Sequence, residues 1–417
     1  MDFRTWREVT QQRIRENTWA VHSVLALMAA LGFAQALVGR RAGAVNRLAQ
    51  VHRTARWRWM RNLVEPYIVA NLAAARVDPV PPQKSALDRF VGNRMMVLKP
   101  PMGNGEKGVL FVMFSDMFRL LHDGADLPRL LADYTLVFEP SWSGYCHPDL
   151  LEYTRWKDDV FILAAEQEDN AFLKRLGSNL IPVDLGPCDW VDPRVAEPYL
   201  SQPKEFDIVM NSNWGVWKRH YVLFRMLRNS KRRYKVLLVG VKWSGKFKAD
   251  VERLARFYGV LDQLTVLESI PYDQVMDLTC RSKVAILLSL KEGSNRAIAE
   301  AIFCNLPVIV LSSHVGGIRK NVVPETGLLA DERNLESAIG QLLDGNLQPR
   351  QWGQEHVSCF KSSERLNAVL KERALGLGLP WTQEIAGRAS SPESRYLYAD
   401  DADRLRTWND ELKKYLR

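Results

Sequence analysis

Two glutamates eight residues apart, Glu292 and Glu300, stand where an apolar run gives way to a Glu-Gly turn and then to a helix of small residues. The spacing predicts a strand ending near Ser289, a turn made by Glu292 and Gly293, and a helix capped by Ser294 or Asn295. A helix start offers backbone N–H groups outside its own ladder, together with the positive end of its dipole, and so suits a diphosphate. Carboxylates on either side of such a turn cannot serve the anion; they suit the hydroxyls of sugars beside it. A nucleotide-sugar satisfies both halves, with one carboxylate for the sugar and one for the ribose. Two solvated glutamates at a helix start would show the same spacing. The strand–turn–helix–strand context of residues 287–310 separates the two readings.

Groups so placed need a doubly wound sheet to carry them, and the surrounding sequence predicts one. Apolar runs of strand length fall at 206–210, 234–239, 264–269, 284–288 and 307–311, with helical patterns at 218–228, 248–258, 272–281 and 295–303 between them. Unbroken Val/Ile/Leu runs are strands buried on both faces, and helical crossovers make them parallel. The ligand then lies outside the carboxyl ends of the strands. A second series of apolar runs, at 95–98, 109–114, 135–138, 160–164 and 180–183, predicts another α/β layer. Residues 1–78 read as helical up to the break at Pro79, Pro81 and Pro82, residues 187–203 as a linker, and 402–416 as a final amphipathic helix.

The segment 287–310 resembles the E-x7-E region of glycosyltransferase family 4, down to the small-residue helix and the Asn305, Pro307, Val308 strand entry. The resemblance spans about residues 204–345, is faint over 94–190, and is absent from the first 85. It implies an α/β GT-B architecture, two Rossmann-like domains facing a cleft, here with a helical N-terminal extension. The expected limits are 1–85 for the extension, 86–200 for the acceptor domain, 201–350 for the donor domain and 351–417 for a helical tail. By the same resemblance Glu292 contacts donor-sugar hydroxyls and Glu300 the ribose, while the amides of Gly293, Ser294 and Asn295 approach the diphosphate or sugar. Residues 206–220 resemble the strand and loop in which the family places a basic pair at the diphosphate. Lys218 matches its lysine; Ser212 and Asn213 stand where its arginine is expected, leaving Arg219 or Lys242 as substitutes.

Residues 312–318 resemble the family's glycine-bearing turn, in which Gly316 and Gly317 let backbone approach the ligand; a plain tight turn explains the glycines as well. Arg319 and Lys320 stand where the family often has an acid. GT-B enzymes turn the loop after the first strand toward the cleft, so Gly103, Gly105 and Lys107 are expected at the donor phosphates or acceptor, with a surface hairpin as the other reading. His147 is the candidate donor-sugar contact from the N-terminal domain, or simply a loop residue.

Composition bounds the remainder. A chain of 417 residues with 47% hydrophobic residues has material for two to three domains, and a formal charge of +9 favours an anionic partner. Cys146, Cys188, Cys280, Cys304 and Cys359 form no CxxC pair, which argues against a zinc site or redox dithiol and for a reducing compartment. No Asp-x-Asp cluster lies near the site, so neither metal nor cofactor is expected. Residues 20–38 are long and apolar enough to span a bilayer, broken only by His22, Ser23 and Gln35 and flanked by arginines. They are either a buried covering helix or a membrane helix, and the polar breaks and arginines favour peripheral contact with anionic lipid. Nucleic acid is not expected, because an Arg/Trp stretch at 52–61 is its only support.

Together these readings predict a retaining hexosyltransferase acting from a nucleoside-diphosphate sugar on a glycan or lipid-linked acceptor. The expected setting is bacterial surface-polysaccharide assembly at the cytoplasmic face of the inner membrane. A catalytically silent scaffold and a sugar-nucleotide epimerase share the same fold.

Overall fold

The apolar runs in the first half become strands buried on both faces. In a computed structural model, which describes residues 3–75 and 89–417, they are β1 (Met95–Lys99), β2 (Gly108–Met113), β3 (Tyr134–Glu139), β4 (Val160–Leu163) and β5 (Leu180–Val183). They lie side by side in that order, β1 antiparallel to β2 and the rest parallel. The proline break at 78–82 and the boundary expected at 85 fall outside the described residues. Upstream, helices Thr18–Leu37, Arg41–Thr54 and Arg58–Ala70 form the expected helical region. It is tied to helix Gln167–Leu176 by Glu65, which receives Arg175 at 2.5 Å and His52 at 2.9 Å. Burial pushes the Glu65 carboxyl up, but these two partners hold it at about 2.

The second sheet has six parallel strands: β6 (Phe206–Asn211), β7 (Val236–Gly240), β8 (Leu264–Glu268), β9 (Ser282–Leu287), β10 (Val308–Leu311) and β11 (Gly327–Ala330). Their order is β11-β10-β9-β6-β7-β8. The chain therefore starts in the middle, winds outward through β7 and β8, then returns to the other side of β6 and winds outward again. The strand order reverses between β6 and β9, and a crevice opens at the carboxyl ends of strands at such a point. The α/β class, the parallel sheets and the helical N-terminal region agree with the sequence reading. β11 is an addition; its Gly-Leu-Leu-Ala is too short to stand out as an apolar run.

The chain divides into two compact units, Glu16–Pro187 with Ser362–Arg417, and Met1–Arg15 with Cys188–Lys361. This departs from the expected limits at three places, each for a visible reason. Helix Phe3–Glu16 joins the second unit, because Glu8 pairs with Lys246 at 3.2 Å and Arg253 at 3.0 Å. The boundary expected at 200 falls at Pro187, because Cys188, Val191 and Ala196 are buried in the second unit's core. The tail divides inside helix Cys359–Gly376. Beyond it, Asn409 accepts the Val97 N–H at 2.9 Å and the buried Arg388 meets Glu139 at 3.3 Å, both in the first unit.

Candidate functional site

The loop leaving β6 carries two cations that point to different partners. It passes through a 3-10 turn, Val216–Lys218, and reaches helix His220–Asn229 through Arg219, whose φ is 62°. A side chain in the left-handed region costs roughly 1–2 kcal/mol, and the buried guanidinium offsets it. Arg219 donates to Leu288 O and Tyr221 Oη at 3.1 Å each and to Glu332 at 2.5 Å. Its charge is thus met inside the unit by Glu332, which also receives Arg225. The candidate phosphate-clamp substitute is a brace for the loop, and Lys242, the other substitute, is exposed. Lys218 is buried in the tight turn and donates to Glu292 Oε1 at 2.6 Å. Beside it the His220 imidazole is 3.1 Å from Ser212 Oγ, and burial, with Lys218 nearby, pushes it down to about 3.

Glu292 comes from the loop leaving β9, so the pair bridges the two strands at which the sheet order reverses. The side chains are 8% and 11% exposed, which makes this a buried ion pair. Burial pushes the Glu292 carboxyl up. Lys218 and hydrogen bonds from Ser289 and Asn295 outweigh that and hold it below the usual carboxylate range. Asn295 serves twice: Nδ2 donates to Glu292 at 2.9 Å, and Oδ1 caps helix Arg296–Phe303 by accepting the Ile298 N–H at 3.1 Å. The start of that helix therefore sits beside the carboxylate, as the sequence pattern required. Within the helix Glu300 is buried and accepts the Tyr272 hydroxyl at 3.1 Å. The Ser294 hydroxyl turns inward to Cys188 Sγ at 2.6 Å, so only its backbone is placed to meet a ligand.

The turn after β10 is zipped onto the Glu292 loop. Glu292 N–H donates to Val315 O at 3.0 Å, Val315 N–H to Leu290 O at 2.8 Å, and Gly317 N–H to Gly293 O at 2.8 Å. A Cβ on Gly316 would stand 2.7 Å from Gly293 O and 2.8 Å from Glu292 O. Close approach of two protein loops therefore accounts for Gly316, without recourse to a ligand. Under the zip lies His314, fully buried, with Nδ1 2.8 Å from Ser289 O. Sequence reasoning passed over Ser289, His314, Tyr272 and Glu332. The signal for the first was a single hydroxyl interrupting the leucines at 287–290, and for the second a histidine inside the glycine turn.

The glycine loop of the first unit requires a correction. Gly103 and Gly105 are exposed in the turn joining the antiparallel β1 and β2, and Lys107 reaches Leu131 O at 2.6 Å and Asp158 at 2.7 Å. Gly108 pairs with Tyr134, the first residue of β3, so this turn lies at the amino ends of the parallel strands. That is the opposite end from the ligand-binding edge, and the surface-hairpin reading is the one the geometry supports. His147 does follow a carboxyl end, that of β3. There it accepts the Asp149 N–H at 3.3 Å as a helix cap, and burial, with Arg53 nearby, pushes its imidazole down to about 4.

The second unit thus has at one edge a buried ammonium–carboxylate pair, a helix start and a second buried carboxylate. A cavity of about 820 Å³ in the same unit is lined by Arg225, Ser313, Asp331, Glu332 and Glu336, and not by Lys218, Glu292 or Glu300. No curated protein matches the chain. Among solved structures, HepE of Anabaena in complex with UDP is 13% identical over 63% of this chain and 78% of that one, with a TM-score of 0.48. Sucrose-phosphate synthase from Thermosynechococcus elongatus is 17% identical over 78% and 81%, with a TM-score of 0.49. The lipopolysaccharide outer core galactosyltransferase WaaB is 12% identical over 75% and 81%, with a TM-score of 0.44. Residues 195–356, the stretch that carries Lys218, Glu292 and Glu300, match the family described as glycosyl transferases group 1.

Proposed function

We propose that the chain is a retaining glycosyltransferase that moves a sugar from a nucleoside diphosphate to a glycan or lipid-linked acceptor, in surface-polysaccharide assembly at the cytoplasmic face of a membrane. The observation that carries the reading is the buried Lys218–Glu292 pair at the reversal of strand order, beside the start of helix Arg296–Phe303. In the proposed reaction the bond between the anomeric carbon and the diphosphate oxygen breaks, and the acceptor oxygen bonds to the same face of the anomeric carbon. The acceptor proton passes to the departing phosphate. Charge builds up on the leaving diphosphate, where Lys218 and the helix amides stabilise it. Glu292 orients sugar hydroxyls and Glu300 the ribose. The proposal requires no metal and no cofactor.

One observation favours a second reading. With Arg219 committed to Glu332, Lys218 is the remaining side chain of the expected basic pair, as a binding-deficient scaffold would also show. A screen of UDP-, GDP- and ADP-sugars by calorimetry and donor hydrolysis separates the two. An enzyme binds and slowly hydrolyses one donor, and Glu300→Ala and Glu292→Gln each weaken that at least tenfold, a loss of about 1.4 kcal/mol. Absence of heat with every donor from folded protein refutes the transferase and leaves the scaffold.

A further inference from the structure

Helix Thr18–Leu37 is apolar on all sides, yet the chain covers only one of them. His22, Leu25, Ala29 and Gly32, spaced three and four apart, are buried on the side that packs on helix Arg41–Thr54. The helices approach closely there: a Cβ on Gly32 would stand 2.7 Å from Leu48 Cδ2. His22 locks one end. Its Nδ1 lies 2.6 Å from Thr18 O and therefore carries the proton, leaving Nε2 to accept the Arg56 and Trp57 N–H groups at 3.0 Å each. On the opposite side Val24, Leu27 and Leu31 are exposed, Leu27 by 63%. A helix of a soluble protein turns polar residues outward, and an apolar outward face marks an interaction surface.

The rim of this face identifies its partner. At one end the exposed Trp19 packs edge-on against Trp57 at 4.8 Å, and Trp57 stacks on the exposed Trp59 at 6.0 Å. Tryptophan is the side chain that favours the level of lipid headgroups. Arg40 and Arg41 at the other end, and Arg56 and Arg58 beside the tryptophans, are exposed, and no Asp or Glu occurs between Glu16 and Glu65. We propose that this face lies flat on an anionic bilayer, with Val24, Leu27 and Leu31 below the headgroups and the exposed arginines among the lipid phosphates. Length and composition alone would let the helix cross a membrane. Crossing would strip His22 from the Arg56 and Trp57 N–H groups and Gly32 from Leu48, or drag Arg47 and His52 into hydrocarbon with it. A second copy of the chain is disfavoured too, because two such faces would bring arginines together with no acid to answer them.

The proposal names the surface that would serve the membrane placement in the proposed function, and its test does not depend on sugar transfer. Full-length protein is sedimented with vesicles of phosphatidylcholine alone or with about 30% phosphatidylglycerol, the anionic fraction supplying the surface potential that draws arginine. The expected result is binding to the anionic vesicles only, weakened at least tenfold near 0.5 M salt, where the screening length falls to roughly 4 Å. An alkaline carbonate wash should release the protein. Leu27→Glu combined with Leu31→Glu should reduce binding at least tenfold at an unchanged Tm, since both side chains are exposed, and Arg40→Gln with Arg41→Gln should reduce it similarly. Equal binding to neutral vesicles, or none to either, overturns the proposal. So does resistance to carbonate, which would mean a spanning helix, or a dimer that Leu27→Glu with Leu31→Glu dissociates.

Discussion

Replacing Lys218 by Met would leave Glu292 as a buried carboxylate without its cation, at side-chain exposures of 8% and 11% in the intact pair. Removing one partner of a buried ion pair costs about 3–5 kcal/mol. A unit of this size loses roughly 2–4 °C of Tm per kcal/mol, so the expected fall is on the order of 6–20 °C. The pH dependence supplies the sharper test, because its sign inverts. In the wild type the carboxyl of Glu292 is held below its ordinary value, so its contribution is complete above the unfolded value and is lost as pH falls through the folded one. Without Lys218, burial dominates and the folded value rises above the unfolded value of about 4.3. The variant's deficit then grows as pH rises through that folded value and shrinks on acidification. Calorimetry at about pH 7.5 and about pH 5 measures this, with hydrogen exchange over 284–318 assigning the transition to the right unit. Lys218→Met combined with Glu292→Gln should recover at least half of the loss. A Tm within about 2 °C of wild type at the higher pH, or an equal loss at both, would refute a buried, coupled pair.

Gly316→Ala would push a methyl to within 2.7 Å of Gly293 O and 2.8 Å of Glu292 O, both backbone atoms. The two loops must part, so donor binding in calorimetry should fall at least tenfold, roughly 1.4 kcal/mol, with Tm reduced by a few degrees; unchanged affinity would contradict the zip. In the first unit Lys99 and Glu106 form a fully buried pair at 2.8 Å, and the Glu106 carboxyl, pushed up by burial, is held at about 2 by Lys99 and Thr382. Its stabilisation should be complete above about pH 4.3 and lost as pH falls toward about 2. Glu106→Gln should flatten that part of the Tm-against-pH curve, and an unchanged curve would show that the pair does not couple to folding.

The six-stranded sheet was legible because its central strands β7, β9 and β10 are buried on both faces. Runs such as 236–239 and 308–311 hold no polar residue to blur them, and the strand ends fell within two residues of those read from the sequence. Residues whose meaning depends on a distant partner were not legible. Nothing near Arg219 announces Glu332, 113 residues further on, so a basic side chain next to Lys218 read as a phosphate ligand. Gly103 and Gly105 misled for a related reason. A glycine loop between two strands reads alike whether the strands are parallel or antiparallel, and only the pairing of β1 with β2 puts it at the amino edge. The split of the tail in the first turn of helix Cys359–Gly376 leaves no mark on the sequence, because a continuous helix has no breaker there.

The site's cations also bear on what it can bind. Lys218 is answered by Glu292, Arg219 by Glu332, and Lys320 by Asp189 at 3.0 Å. The Lys218 and Lys320 pairs are nearly neutral as units, and Arg219 is buried against a Glu332 that it shares with Arg225, so the attraction for a diphosphate falls to the helix start at Asn295 and to the donors that Lys218 retains beyond its bond to Glu292. An ammonium has three N–H groups and can bridge a carboxylate and a phosphate at once; a bidentate guanidinium already engaged with Glu332 has less to offer. On the proposed reading Glu292 has two roles, contacting the sugar and fixing the ammonium that the phosphate needs; only the second contact, to Lys218, is in the structure. Glu292→Gln should therefore weaken free nucleoside diphosphate as well as the whole donor, whereas a carboxylate acting on the sugar alone would leave the diphosphate's affinity unchanged. Glu300, which accepts the Tyr272 hydroxyl, provides the contrast: its loss should be felt in the nucleoside and leave inorganic pyrophosphate binding as it was.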